Sequence, residues 1–258
     1  MLNQNKEKYR SGFIPFLVVG DPNLETTEKA IDILIEEGAD LIELGVPFSD
    51  ASADGPVIQM ASERAAKSIS LSTVLEFAAK LRQKHPKFPF VIFTYFNPVL
   101  KMGLSEFAKR AKASGVYAVL VVDLPPEEAR DYSMALEKEG LGAVFLASPT
   151  TPKNRISEIA RRSTAFIYYV SRMGVTGVQS DVSKTLAKEV QTVRALTDRE
   201  IAIGFGISTG AQARQVSELA DAVVVGSAFV KLVSSSFHDL GSLRSLAREI
   251  RTATLKEQ

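Results

Sequence analysis

The sequence predicts an α/β fold, a single-domain (β/α)8 TIM barrel spanning residues 1–258, and three observations predict it. The length, 258 residues, is close to the roughly 250 over which an α/β barrel closes as one domain. Eight short apolar runs recur along the chain, each followed by a polar stretch of helical period. No Pro-, Ser- or Gly-rich linker divides the repeats. An open doubly wound sheet is the other architecture that the same alternation allows.

The apolar runs are 13–19, 41–45, 90–95, 118–123, 143–147, 166–170, 201–205 and 222–226. They are too short for helices and rich in Val, Ile and Phe, the signature of parallel strands buried on both faces. Between them, residues 27–37 place Ala30, Ile31, Leu34 and Ile35 on one stripe, with Gly38 as the stop. Residues 104–114 repeat the pattern, with Ser105 as candidate N-cap and Gly115 as stop. Pro125 and Pro126 suit the first turn of a helix running to Gly140. Further helical stretches cover 156–162, 182–196 and 243–255. The long interval between the second and third runs, 49–85, holds an extra loop and helical material, where barrel enzymes place their chemistry.

Composition narrows the partners. The net charge of +1 gives no reason to expect nucleic acid or an acidic membrane surface. With no cysteine, there is neither a disulfide framework nor a thiolate metal site. The first ten residues resemble no targeting peptide, and no apolar run nears the roughly 18 residues that span a membrane. A soluble, cytoplasmic protein is the expectation. His85 and His238 belong to no metal-ligand spacing and are expected to face solvent, as are Arg161 and Arg162. No nucleophile elbow, P-loop or dinucleotide fingerprint is present.

Glu43 is the most informative residue. It lies near the C-terminal end of an apolar run, and if Ile42 and Leu44 face the helices, strand alternation points it into the barrel mouth. Burial there raises a carboxyl pKa toward values useful for proton transfer at neutral pH. A buried ion pair with a Lys or Arg is the alternative. Asp54 follows on the loop 47–56, and either it serves catalysis, or Asp54 or Gly55 simply caps a helix with Pro56 at its first position.

Glycines mark the ends of the last two runs, in Gly204-Phe205-Gly206-Ile207-Ser208 and Gly226-Ser227-Ala228. The loops after strands seven and eight, with a short helix N-terminus, often bind phosphate in barrels. Ordinary strand-to-helix turns also use glycine. Ser171-Arg172-Met173-Gly174-Val175-Thr176-Gly177 suits a hinged lid, or an ordinary loop.

Together these residues carry a resemblance. Glu43-Leu44-Gly45-Val46-Pro47-Phe48-Ser49-Asp50, followed by Ala53-Asp54-Gly55-Pro56, closely resembles the signature of tryptophan synthase alpha subunits. Gly20-Asp21-Pro22, Tyr95-Phe96-Asn97-Pro98, Asp123-Leu124-Pro125, the 171–177 loop and the two glycine turns agree in order and spacing. The likeness covers essentially the whole chain. It implies retro-aldol cleavage of indole-3-glycerol phosphate, with Glu43 as general acid/base and Asp54 beside the indole N–H. By the same resemblance Phe16, Leu120, Leu146 and Phe205 line an indole slot, and Tyr168 is a pocket tyrosine. Thr176 is then the lid residue that holds the aspartate, and Gly177, Gly206, Gly226 and Ser227 contact phosphate. No cofactor is implied on this chain. The partner it implies is a beta subunit carrying pyridoxal phosphate, in an α2β2 complex. One departure stands out: the family loop reads Ser-Asp-Pro-Leu or Ser-Asp-Pro-Val, where this chain has Ser49-Asp50-Ala51-Ser52. Losing the proline frees φ and raises loop entropy. A barrel that has lost activity and serves as an activator is therefore a second reading, and another phosphate-binding barrel is a third.

Overall fold

The structure is a computed structural model that describes residues 2, 7, 9–171, 179–204, 206–235 and 239–256. Its first half runs β1 (Gly12–Val18), α1 (Leu24–Glu36), β2 (Ile42–Gly45), α2 (Pro56–Ala65), α3 (Leu71–Lys84), β3 (Phe90–Thr94), α4 (Phe96–Met102) and α5 (Leu104–Ala113). Then follow β4 (Ala118–Val121), a 3-10 turn at Pro126–Glu128, α6 (Arg130–Lys138), β5 (Gly142–Ala147), α7 (Lys153–Arg162) and β6 (Ile167–Val170). The chain closes with α8 (Gln179–Arg194), β7 (Ile201–Gly204), α9 (Gly210–Ser217), β8 (Ala222–Val225), α10 (Ser227–Ser235) and α11 (Gly241–Ala253).

The strands form a closed parallel barrel in chain order, with β8 pairing back onto β1. Closure rules out the open-sheet alternative and leaves no strand edge unpaired. Strand alternation divides the apolar residues into two layers. Leu41, Val91, Leu120, Val144 and Phe166 fill the barrel interior. Ile42, Leu44, Ile92, Val119 and Phe145 pack outward against the helices. Leu2 belongs to the interior layer and is almost fully buried, so the polar-looking N-terminal stretch begins with a core residue.

Several local expectations are corrected. Ser105 is not a cap: α5 is capped by Gly103, whose φ of +89° lets one residue end α4 and start α5. The segment after Pro125 is not one helix, because Glu128 and Ala129 donate to the carbonyls of Pro125 and Pro126 and so make i+3 bonds. An α-helix begins only at Arg130. His85 does not face solvent. It caps α3 and places Nε2 2.8 Å from Asp32 Oδ1 on α1. Arg161 is exposed as expected, whereas Arg162, which pairs with Glu158 as Arg161 does, is largely covered. His238 lies outside the described residues.

Among the described residues no helix is long and apolar enough to cross a membrane, and no group of His, Cys, Asp or Glu is arranged to hold a metal ion.

Candidate active site

A cavity of about 300 Å³ opens at the C-terminal ends of the strands. Its wall is mostly apolar and includes Phe16, Phe93, Val122, Leu146 and Tyr168. Asp54 stands at its rim, and Gly206, Gly226 and Ser227 line it too. A slot of this size, apolar with a few convergent polar groups, suits a small flat ligand with one charged end.

Glu43 sits in β2, paired in register with Phe16 of β1 and Val91 of β3. Its neighbours two residues apart decide its direction. Leu41 is an interior residue, while Ile42 and Leu44 face the helices, so Glu43 points inward as the alternation requires. It is fully buried, and neither carboxylate oxygen has a hydrogen-bond partner among the described residues. Burial alone pushes its pKa from 4.5 up to about 8. Nearby Asp40 shows what a structural buried carboxylate looks like: it accepts the Phe13 N–H at 2.9 Å and pairs with Arg251 at 3.0 Å. Glu43 has no such pairing among the described residues, so the ion-pair alternative finds no support there. An unpartnered buried acid is costly, and such a cost persists where the group has a task. Glu43 is not among the residues that line the cavity, but it is paired in register with Phe16, which does line it.

Asp54 is held differently. The Tyr95 hydroxyl donates to Asp54 Oδ2 at 2.7 Å and accepts the Ala53 N–H at 3.1 Å. Of the two candidate caps the chain uses Gly55 and not Asp54: the N-cap of α2 is Gly55, with no side-chain cap bond, and Pro56 follows at the first position. Gln59 on α2 ties the loop back, its Nε2 donating to the carbonyls of Asp54 at 2.9 Å and Ala51 at 3.2 Å. These bonds restrain the loop that the missing proline leaves free, and Ala51 is buried beneath it. Burial raises the Asp54 pKa, and the Tyr95 hydrogen bond opposes that rise. Tyr95→Phe is therefore expected to raise it further. Carboxyl NMR titration of the wild-type and variant chains measures this, and an unchanged midpoint would show that the phenol does not hold Asp54.

Two glycines make room for the aromatic wall. A Cβ at Gly45 would lie 2.6 Å from the Phe16 ring, and one at Gly204 would lie 2.4 Å from the Tyr168 hydroxyl. Gly204 thus admits Tyr168 over the end of β7 rather than facing the cavity, unlike Gly206. Burial, and then the charges of Glu43 and Asp54, keep the Tyr168 phenol protonated.

The charged end of the slot is the start of α10. Gly226 and Ser227 line the cavity where this helix begins, and a helix N-terminus offers unpaired N–H groups and favourable potential to an anion. Thus Phe16, Leu146, Asp54, Tyr168, Gly206, Gly226 and Ser227 share one cavity, and Glu43 is paired with its Phe16. Leu120 is buried in the barrel interior and is not part of the lining. Thr176, Gly177 and Phe205, with most of the 171–177 lid segment, lie outside the described residues. Tyr95 and Gln59 had no assigned role in the sequence. The aromatic Tyr95 directly after a strand was the available signal, but its partner lies 41 residues away.

The chain is similar to known proteins along nearly its whole length. A family model described as tryptophan synthase alpha chain matches residues 2–256. The tryptophan synthase alpha chain of Geobacter sulfurreducens is 46% identical over 228 residues, covering 88% of this chain and 86% of that one. A crystal structure of tryptophan synthase subunit alpha from Legionella pneumophila superposes with a TM-score of 0.88 at 35% identity, covering 95% of this chain and 92% of that one. A crystal structure of tryptophan synthase from M. tuberculosis also gives 0.88, at 30% identity, covering 98% and 95%. With the family model spanning nearly every residue, the chain belongs to the tryptophan synthase alpha chain family.

Proposed function

We propose that Glu43 and Asp54 carry the retro-aldol cleavage of indole-3-glycerol phosphate to indole and glyceraldehyde 3-phosphate, the lyase reaction of the tryptophan synthase alpha chain in L-tryptophan biosynthesis. The observation that carries the assignment is the buried Glu43 carboxyl, without a hydrogen-bond partner among the described residues, in register with a strand residue of a slot lined by Asp54 and a helix N-terminus.

Substrate binds with its indole against Phe16, Leu146 and Tyr168 and its phosphate at Gly206, Gly226 and Ser227; Phe205, Thr176 and Gly177 are assigned the remaining pocket, lid and phosphate contacts. Glu43, protonated at neutral pH because it is buried, turns toward the slot and delivers its proton to indole C3. The ring loses aromaticity and its nitrogen gains positive charge. Asp54 beside the N–H stabilises that charge, and the Tyr95 bond fixes its orientation. Removal of the adjacent hydroxyl proton then forms the aldehyde, breaks the carbon–carbon bond and returns the electron pair to the ring. A carboxyl with a pKa of about 8 suits both the donation and the later acceptance. The step needs no cofactor on this chain.

The chain is further assigned to an α2β2 complex in the cytoplasm, with pyridoxal phosphate on the beta subunit. Exposed Met60 on α2 and Leu100 on α4 support a docking face at this rim. The two helices also follow Asp54 and Tyr95, so a partner seated there acts on the pair. The reading that the barrel is only an activator drew on the missing proline, and the bonds that Gln59 donates to the loop and that Ala53 donates to Tyr95 weigh against it. Indole release from indole-3-glycerol phosphate, measured with and without the beta subunit, tests the proposal. Turnover in both, higher in the complex, is expected; none in the complex would leave only the activator reading.

A further inference from the structure

Asp21, in the loop after β1, is a buried carboxylate that the reaction above does not use. Two helices converge on it. Arg64, near the C-terminal end of α2, places Nε 2.8 Å from Oδ1 and Nη2 2.9 Å from Oδ2, a bidentate pair. Ser234, near the end of α10, donates to Oδ2 and accepts from Arg64 Nη2 at 3.1 Å, closing a triangle. An apolar seam of Val18, Ala61, Ala65 and Val230 packs the same two helices onto β1.

The far ends of these helices are the working ends. α2 starts at Pro56, two residues after Asp54, and its Gln59 holds the Asp54 carbonyl. α10 starts at Ser227, beside the anion-binding turn. A ten-residue helix is a rigid lever about 15 Å long, so a tilt allowed at the Arg64 end moves Asp54. We propose that Asp21, Arg64 and Ser234 form a positioning clamp that sets Asp54 relative to the phosphate-binding end of the slot. The clamp rests on the assignment of Asp54 above. It keeps the aspartate in register with the indole N–H while the phosphate is held at α10, and misplacement by about 1 Å is enough to slow a positioned reaction markedly.

A double-mutant cycle on kcat separates positioning from bulk stability. Arg64→Gln is expected to lower kcat about tenfold in the parent chain, but by less than about twofold in a chain already carrying Asp54→Asn, because the group it misplaces is gone. Arg64→Lys, which keeps the charge but loses the planar fork, should fall between Arg64→Gln and wild type. Ser234→Ala keeps the Asp21–Arg64 pair, so it carries the test if Arg64→Gln does not fold; it should show the same pattern with a smaller fold-change. Independent, multiplying losses, or parent-like kcat in both variants, would overturn the clamp while leaving Asp54 in place. If Asp54→Asn alone kept full turnover, the aspartate's role and the clamp would fall together, which is a different result.

Discussion

Glu43→Gln is expected to abolish indole release, lowering kcat by about a thousandfold or more, while a non-cleavable substrate analogue binds about as well as before. Glutamine keeps the shape and fills the same buried position but neither gives nor takes the proton. The same change should stabilise the fold, an uncommon combination. The Glu43 pKa stands at about 8 in the folded chain against an ordinary 4.5, raised by burial. Between those values the folded state holds a proton that the unfolded chain has released. The contribution of Glu43 is therefore full below about pH 4.5 and is lost as pH rises through about 8. Glutamine removes that dependence, so at pH 7 the variant should be more stable by on the order of 3 kcal/mol. Denaturant melts of both chains at pH 5, 7 and 9 measure it. The gap should widen with pH, and a gap that narrowed instead would mean that Glu43 is ion-paired in the folded chain. Wild-type kcat/KM should likewise fall as pH rises above about 8, where the free enzyme loses its acid. Near-normal turnover in Glu43→Gln would remove the acid/base assignment altogether.

Asp54→Asn should lower kcat by about 10- to 100-fold, less than Glu43→Gln, because it removes charge stabilisation and leaves the proton donor in place. Its melting temperature should hardly move. The cap of α2 is Gly55 and not Asp54, so no helix end is unmade, and the asparagine oxygen still accepts from Tyr95. KM for the phosphorylated substrate should change little, since the proposed phosphate contacts, Gly206, Gly226 and Ser227, are separate from Asp54. A collapse of stability with an unaltered rate per folded molecule would show that Asp54 is structural after all. These outcomes distinguish the two carboxylates. One is buried, without a hydrogen-bond partner among the described residues and costly to the fold; the other is half-buried, hydrogen-bonded and nearly neutral to it.

How much of this was legible in the chain itself depended on range along the sequence. The barrel was legible because its signal is local: eight buried runs separated by helical stretches, with no linker, leave few other architectures. The inward direction of Glu43 was legible for the same reason, since backbone pleating fixes side-chain alternation whatever the strand packs against. The glycine turns of strands seven and eight were found, but their division of labour was not. Gly206 and Gly226 line the cavity, whereas Gly204 is required by a tyrosine on the neighbouring strand. The Ser105 cap failed because a single glycine links two helices there, a geometry that the helical pattern does not announce.

By itself, then, the sequence determined the fold, the facing of Glu43, the family and the place of the two glycine turns at the cavity. Each of these is set by backbone geometry or by residues adjacent in the chain. Only the tertiary structure decided that Asp40 is paired while Glu43, among the described residues, is not, and that Asp54 is held by Tyr95 instead of capping its helix. It alone joined Arg64 and Ser234 to Asp21, across 43 and 213 residues of chain. The physical reason is the same throughout. Whether a polar group is satisfied depends on neighbours in space, and in a closed barrel those neighbours come from strands and helices far apart in sequence.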